Sequence, residues 1–300
     1  MPTRLRRTEL STPGSNEKMM AKAAASAADV VMLDLEDSVA PSEKAAARAR
    51  VVHALTTLDW SKKTRAVRIN PLDTAYAYRD IIEIVEPAHA HIDLLVVPKI
   101  KSVRDVWWVD TLLTQIETQL GTAKRIGLEV LIEEVEAMIQ VEEIARASPR
   151  LEALILGPGD YAASQGMDVK DIGDAGEYPG DIFYYARNKI IIAARAAGLD
   201  MVDGPFAAFT DPDGLRRECF RARALGAAGK WVIHPSQIDI VNELFAPTRE
   251  QVDRARRLAA AYAAAEASGR GAASIDGVMV DAASIRLLRK TIALAEQLGM

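Results

Sequence analysis

The chain has 300 residues, 49% of them hydrophobic and 5% aromatic, with a net charge of −5 and one cysteine, Cys219. That balance suffices for a full core, gives no global support to a nucleic-acid surface, and leaves no disulfide framework that would demand an oxidising compartment. The basic start MPTRLRR leads into no apolar run, and no stretch approaches the ~18 apolar residues of a membrane span, so the expectation is a soluble, cytoplasmic protein that engages neither membrane nor nucleic acid.

In chain order, short aliphatic runs alternate with longer helical patterns. TELSTPG (8–14) reads as a strand ending in a Pro-Gly turn, and a helix follows with Asn16 near its start. DVVMLDLED (29–37) is a strand and 42–55 a helix capped by Ser42. RAVRIN (65–70) precedes a helix near 75–86, and IDLLVVPKI (92–100) precedes one over 102–120. IGLEVLIEE (126–134) leads to a helix over 135–147, and LEALIL (151–156) runs straight into Gly157, Pro158, Gly159 and Asp160. A helix over 181–198 has Gly198 as its C′ residue. LDMVDGP (199–205), a helix over 211–226 and GKWVIHP (229–235) complete the series.

Eight strands, each followed by a helix, predict a (β/α)8 TIM barrel. Near-continuous apolar strands suit a sheet covered on both faces. The competing doubly wound sheet lacks support, because no G-x-G-x-x-G follows the first strand. Residues 1–248 are therefore expected to form the catalytic barrel. Residues 249–300 are expected to form a helical extension, with SGRGAAS (268–274) as a flexible linker, serving as a lid or an oligomer contact.

Chemistry in such a barrel sits at the C-terminal strand ends. Those ends carry Pro13-Gly14, Glu36-Asp37, Arg68, Lys99, Glu133, Asp160, Asp203 and His234. Glu133 and Asp160 close consecutive strands. Two carboxylates brought together resist joint ionisation unless a cation neutralises them, and an oxygen-only pair suits Mg²⁺. The alternative is a pair of salt-bridged rim residues; Gly157 and Gly159, which permit close approach of a ligand, favour the metal. Arg68 needs a partner if buried. It either pairs with Glu36 or Asp37 or holds a substrate carboxylate bidentately, and the substrate is the favoured reading. Lys99 raises a Schiff-base chemistry, which its many acidic neighbours oppose by keeping it protonated. His234 reads as a hydrogen-bonded rim residue, and Cys219, Trp107 and Trp108 read as packing.

The segments STPGSNEKMMAKAAASAADVVMLDLEDSVAP, VRINPLDT, VVPKI, EVLIEE, LGPGDYAAS, GKWVIHPSQIDIVNELFAP and DGVMVDAAS together resemble the CitE-like CoA-ester lyases of the HpcH/HpaI aldolase superfamily. LDW, YRD and GPGDYAASQGM lean toward the malyl-CoA lyase branch. The resemblance implies a TIM barrel that uses Mg²⁺ (or Mn²⁺) to interconvert malyl-CoA or a relative with acetyl-CoA or propionyl-CoA plus glyoxylate. It implies Glu133 and Asp160 as metal ligands and Arg68 on the keto-acid and its oxyanion; the strand-end reading itself adds Glu36 and Asp37 in support, steadying Arg68, Lys99 or metal-bound water. It also implies that Asp281 reaches a neighbouring subunit's site, and hence a homotrimer or hexamer. Around coenzyme A it points to Lys22 facing a phosphate, near Pro13. Ser11 and Asn16 stand where many relatives carry an aromatic residue and an arginine, and the loop over 168–181 looks shorter than in close malyl-CoA lyases. A malyl-CoA thioesterase, a citramalyl-CoA lyase, a citrate-lyase-beta-like activity, a CoA-independent aldolase or a non-catalytic barrel are the alternatives.

Overall fold

The computed structural model describes residues 4–169, 180–275 and 277–300. Eight parallel strands close into a barrel in sequence order: β1 Thr8–Pro13, β2 Val30–Asp34, β3 Thr64–Arg68, β4 Leu94–Val97, β5 Gly127–Ile132, β6 Leu151–Leu156, β7 Asp200–Asp203 and β8 Gly229–Val232. Strand eight pairs back onto strand one, with Glu9 opposite Trp231, so the ring has no edge.

Helices follow the strands around the outside: α1 Glu17–Ala24, α2 Lys44–Thr57, α3 Ala77–Ala88, α4 Val103–Leu120, α5 Val135–Ile139, α6 Val141–Ile144, α7 Pro158–Gln165, α8 Tyr184–Ala196 and α9 Pro212–Leu225. The strands are buried on both faces for the reason their composition suggests. One face packs under the helices and the other fills the barrel with Val30, Met32, Ala66, Leu94, Val96, Leu131, Ala153, Ile155, Val202 and Trp231. Parallel register puts these inward residues at matching levels: Met32 lies opposite Ala66, Ala66 opposite Leu94, and Leu131 opposite Ile155. Extending the alternation by one inward step points Asp34, Arg68, Glu133 and residue Gly157 toward the C-terminal mouth.

The expected helix over 135–147 is two short helices, α5 and α6. An unexpected two-turn helix, α7, begins directly after β6, with Pro158 in its first turn, where a missing N–H is harmless. After α10 (Ile238–Phe245) come α11 Arg249–Ala267, the antiparallel pair β9 Ala272–Ile275 and β10 Val278–Asp281, and α12 Ala282–Gln297. The Ala272–Ser274 part of the expected linker is therefore strand. Its backbone partners lie in β10, which a Gly/Ser composition does not reveal.

The chain divides into two compact units, one running to Asn242 and one from Glu243 to Met300, so the division falls within α10 rather than at 248. The second unit has its own core of Leu258, Val280 and Ile285, flanked by Tyr262, Ile275 and Leu288. Among the described residues no helix is long and apolar enough to cross a membrane.

Candidate active site

Glu133 follows β5 directly and Gly157 follows β6, at the same level of adjacent strands. That juxtaposition explains the glycine. A Cβ at position 157 would fall onto the Glu133 carboxylate, so only glycine leaves Glu133 its place. Glu133 Oε1 accepts a hydrogen bond from the Lys99 backbone N–H at 2.8 Å. Glu133 is only 2% exposed. Burial pushes its carboxyl up to about 8, and the charges of Asp160 and Glu36 add to the push. Asp160 stands in the first turn of α7 with its side chain 44% exposed, beside the same opening.

A chain of ion pairs lies next to this acid pair. Arg68 Nε and Nη2 each bond one oxygen of Asp34 at 2.7 Å, a bidentate pair within the barrel. Asp34 also accepts from the Glu36 N–H and from the Ser38 hydroxyl. Burial opposes its ionisation, but Arg68 holds it below the usual carboxylate range. Arg68 Nη1 lies 2.6 Å from Glu36 Oε2, and the guanidinium carbon sits 5.0 Å from the centre of the Trp231 ring. Glu36 Oε1 in turn accepts from Lys99 Nζ at 2.7 Å. That ammonium also lies 3.4 Å from Asp37 and 3.7 Å from Asp160. Burial would lower the Lys99 amine, yet the Glu36 hydrogen bond and the charges of Glu36, Asp160 and Asp37 hold it above its ordinary value. A protonated amine is no nucleophile, so the geometry gives no support to a Schiff base.

These groups surround a cleft of about 190 Å³ whose walls include Asp37, Arg68, Glu133, Gly157, Asp160 and Trp231. The donor chemistry suits Mg²⁺. Two carboxylates from the protein, with water and ligand oxygens completing the shell, is the usual mode for that ion. Among the described residues no group of three metal-binding side chains converges. The arrangement can also receive an anion. Arg68 lines the cleft, and its Nη1, which is not bound to Asp34, is shared with Glu36 Oε2.

Residues 7–235 match the HpcH/HpaI aldolase/citrate lyase family. The chain belongs to that family. It is 44% identical to an L-malyl-CoA/beta-methylmalyl-CoA lyase of Cereibacter sphaeroides, over 99% of this chain and 97% of that one. It is 35% identical to a (3S)-malyl-CoA thioesterase of the same species, over 98% of this chain and 95% of the other. Among solved structures it resembles protein CitE from Mycobacterium tuberculosis in complex with magnesium, acetoacetate and coenzyme A. The TM-score is 0.74 at 31% identity, over 97% of this chain and 98% of that one.

In this family member, Glu36, Asp37, Arg68, Glu133 and Asp160 meet around one opening, as the strand-end reading expects. One detail of that reading is corrected. The bidentate fork of Arg68 is occupied by Asp34 and its Nη1 by Glu36, so Arg68 is held by carboxylates of the chain and offers no bidentate clamp to a ligand. Asp34 carries no strand-end signal, because DVVMLDLED continues to a more obvious Glu36-Asp37 end. Asn16 is the N-cap of α1, accepting from the Met19 N–H at 3.1 Å, which accounts for an asparagine there. Ser11 and Pro13 lie in β1 opposite Met32 and Asp34, and Lys22 is exposed in the last turn of α1. Asp281 caps α12 in the second unit, accepting from the Ser284 N–H at 2.8 Å.

Asp203 turns away from the barrel axis, bonding Arg187 at 2.8 Å and Lys230 at 2.6 Å beneath the outer helices. His234 stacks on Phe209 and bonds Ser236. Cys219 is buried in α9 with its thiol pushed up to about 12 by burial. Trp107 and Trp108, expected as packing, are 57% and 43% exposed, because α4 turns that face outward. Most of the loop over 168–181 lies outside the described residues.

Proposed function

We propose that this chain is a Mg²⁺-dependent carbon–carbon lyase that cleaves malyl-CoA or a close relative to acetyl-CoA or propionyl-CoA plus glyoxylate, reversibly. The observation that carries the reading is the buried Glu133 carboxylate, with Oε1 on the Lys99 N–H, beside Asp160 and the Arg68 guanidinium in a chain so similar to malyl-CoA/beta-methylmalyl-CoA lyases.

Glu133 and Asp160 would hold the metal, which when bound supplies a Lewis acid for the oxygens of the keto-acid. The chain's own residues do the rest. Arg68, locked by Asp34, presents Nη1 to the oxygen on which negative charge develops. Glu36 holds Arg68 and Lys99 together and so fixes both cations at the mouth. Trp231 walls the cleft on the Arg68 side and excludes water there. In the condensing direction a base must take a proton from the thioester methyl group, and Asp281 of a neighbouring copy is assigned that role. A homotrimer or hexamer in the cytoplasm is part of the proposal. Lys22, with Ser11, Pro13 and Asn16 nearby, is assigned to the coenzyme A moiety; an exposed lysine at that helix end is free to meet a phosphate.

The test is incubation with Mg²⁺ and malyl-, methylmalyl- or citramalyl-CoA, trapping the keto-acid with phenylhydrazine and following free thiol separately. Hydrazone without thiol is expected. Thiol release without hydrazone would assign the chain to hydrolysis, the second reading, which the 35% identity to a malyl-CoA thioesterase keeps in view. Glu133→Ala and Asp160→Ala should each abolish Mg²⁺-dependent cleavage with the circular dichroism spectrum unchanged, and full activity in EDTA would remove the metal from the proposal.

A further inference from the structure

Lys99 is the residue other than glycine with a positive φ among the described residues, at 48°. That left-handed conformation costs roughly 1–2 kcal/mol for a residue with a Cβ. Two contacts depend on it. The backbone N–H turns onto Glu133 Oε1, and the side chain turns back over the mouth, where Nζ reaches Glu36, Asp37 and Asp160 at 2.7, 3.4 and 3.7 Å.

The mouth holds more carboxylates than a two-ligand site requires. Glu36, Asp37, Glu133 and Asp160 all face one ammonium or its amide, yet no three of them converge as a metal-holding group. A divalent ion that activates a substrate must keep open positions, and additional carboxylates would close them. We propose that Lys99 is a positioning residue whose ammonium keeps Glu36 and Asp37 out of the divalent-ion ligand set, preserving coordination positions for the keto-acid. The inference rests on the reading that Glu133 and Asp160 hold Mg²⁺.

The consequence separates ion affinity from turnover. An ammonium 3.7 Å from Asp160 repels an incoming cation, and its removal also leaves Asp37 Oδ1 and Glu36 Oε1 without the cation they face, Glu36 Oε2 staying on Arg68. Removing it should tighten Mg²⁺ binding by roughly tenfold or more, given charge interactions at this range. Ca²⁺, which takes more oxygen ligands, should gain at least as much. Turnover should fall and the KM for the keto-acid should rise, because the open positions are lost.

The experiment titrates Mg²⁺ and Ca²⁺ by calorimetry into the wild type and into Lys99→Met, Lys99→Gly and Lys99→Arg, with kcat and KM measured in parallel. Glycine favours the left-handed backbone, so Lys99→Gly keeps the turn and the amide donor while deleting the charge. The expected result is tighter ion binding with weaker catalysis in Lys99→Met and Lys99→Gly, and near wild-type ion affinity in Lys99→Arg. Unchanged or weaker Mg²⁺ binding in Lys99→Gly overturns the proposal, because a purely structural lysine would loosen the site. If instead the wild type and Glu133→Ala bind Mg²⁺ alike, the metal reading itself fails, whatever the Lys99 variants do.

Discussion

At the scale of single residues, Glu133 sets the pH behaviour of the site. Its folded-state value of about 8 lies above the ordinary 4.5, so the folded protein holds this proton more tightly than the unfolded chain. The stability from that proton is complete below the ordinary value and is lost as pH rises through about 8. Ion binding runs the other way, since a ligand carboxylate must be ionised. Near pH 7 each Mg²⁺ bound should therefore expel ~1 proton, and near pH 9.5 close to none. Calorimetry in buffers of different ionisation enthalpy reads that number directly. Asp34→Asn makes a separate prediction. It would leave the buried Arg68 without its bidentate partner, and breaking a buried pair in this way costs about 3–5 kcal/mol, seen as a lowered urea midpoint. Glu133 and Asp160 were legible in the sequence because each is the first acid after an apolar run. Asp34 was not, because an acid inside a strand gains its meaning only from the arginine in register beside it.

At the scale of elements, the β6–α7 junction decides whether the acid pair forms. Gly157 leaves space for Glu133, and the first turn of α7 then delivers Asp160. Gly157→Ala should weaken Mg²⁺ binding at least as much as it destabilises the fold. Overpacking of this kind typically costs about 1–3 kcal/mol, and the displaced side chain is the ligand itself. Mg²⁺ titration beside thermal melting distinguishes the two effects. The strands were readable because burial on both faces makes their composition nearly uniform. The short helix α7 was not, because eight residues opened by Gly-Pro-Gly carry turn signals that outweigh their helical pattern. The β9–β10 pair was hidden for a related reason: a hairpin in an Ala/Ser/Gly stretch is held by cross-strand backbone bonds more than by local preference.

At the scale of the whole molecule, the end of the barrel opposite the cleft is sealed by charge. Arg6 bonds Glu129 at 2.8 Å and pairs with Glu152, and Glu9 is buried alongside. Burial, reinforced by Glu129, raises the Glu9 carboxyl well above its ordinary value. As for Glu133, the stability it contributes is present at low pH and lost as pH rises. Glu9→Gln should flatten the decline in melting temperature as pH rises above the ordinary carboxylate range, because the amide has no proton to lose. The second unit supplies another prediction. Asn caps helices about as well as Asp, so Asp281→Asn should leave α12 and the unit intact. If Asp281 is the base, turnover should nevertheless fall by ~10²–10⁴. Sedimentation velocity beside steady-state kinetics checks both halves of that statement.

Apolar periodicity and strand-end acids were enough to derive eight βα units, a barrel and the candidates Arg68, Glu133 and Asp160, because each is a local property of the chain: where a run is buried and what ends it. Which carboxylate holds Arg68, why position 157 carries no side chain, and how one lysine reaches three acids were decided by the closed barrel alone. They depend on the register between strands far apart in the chain, and register arises from packing the whole ring at once.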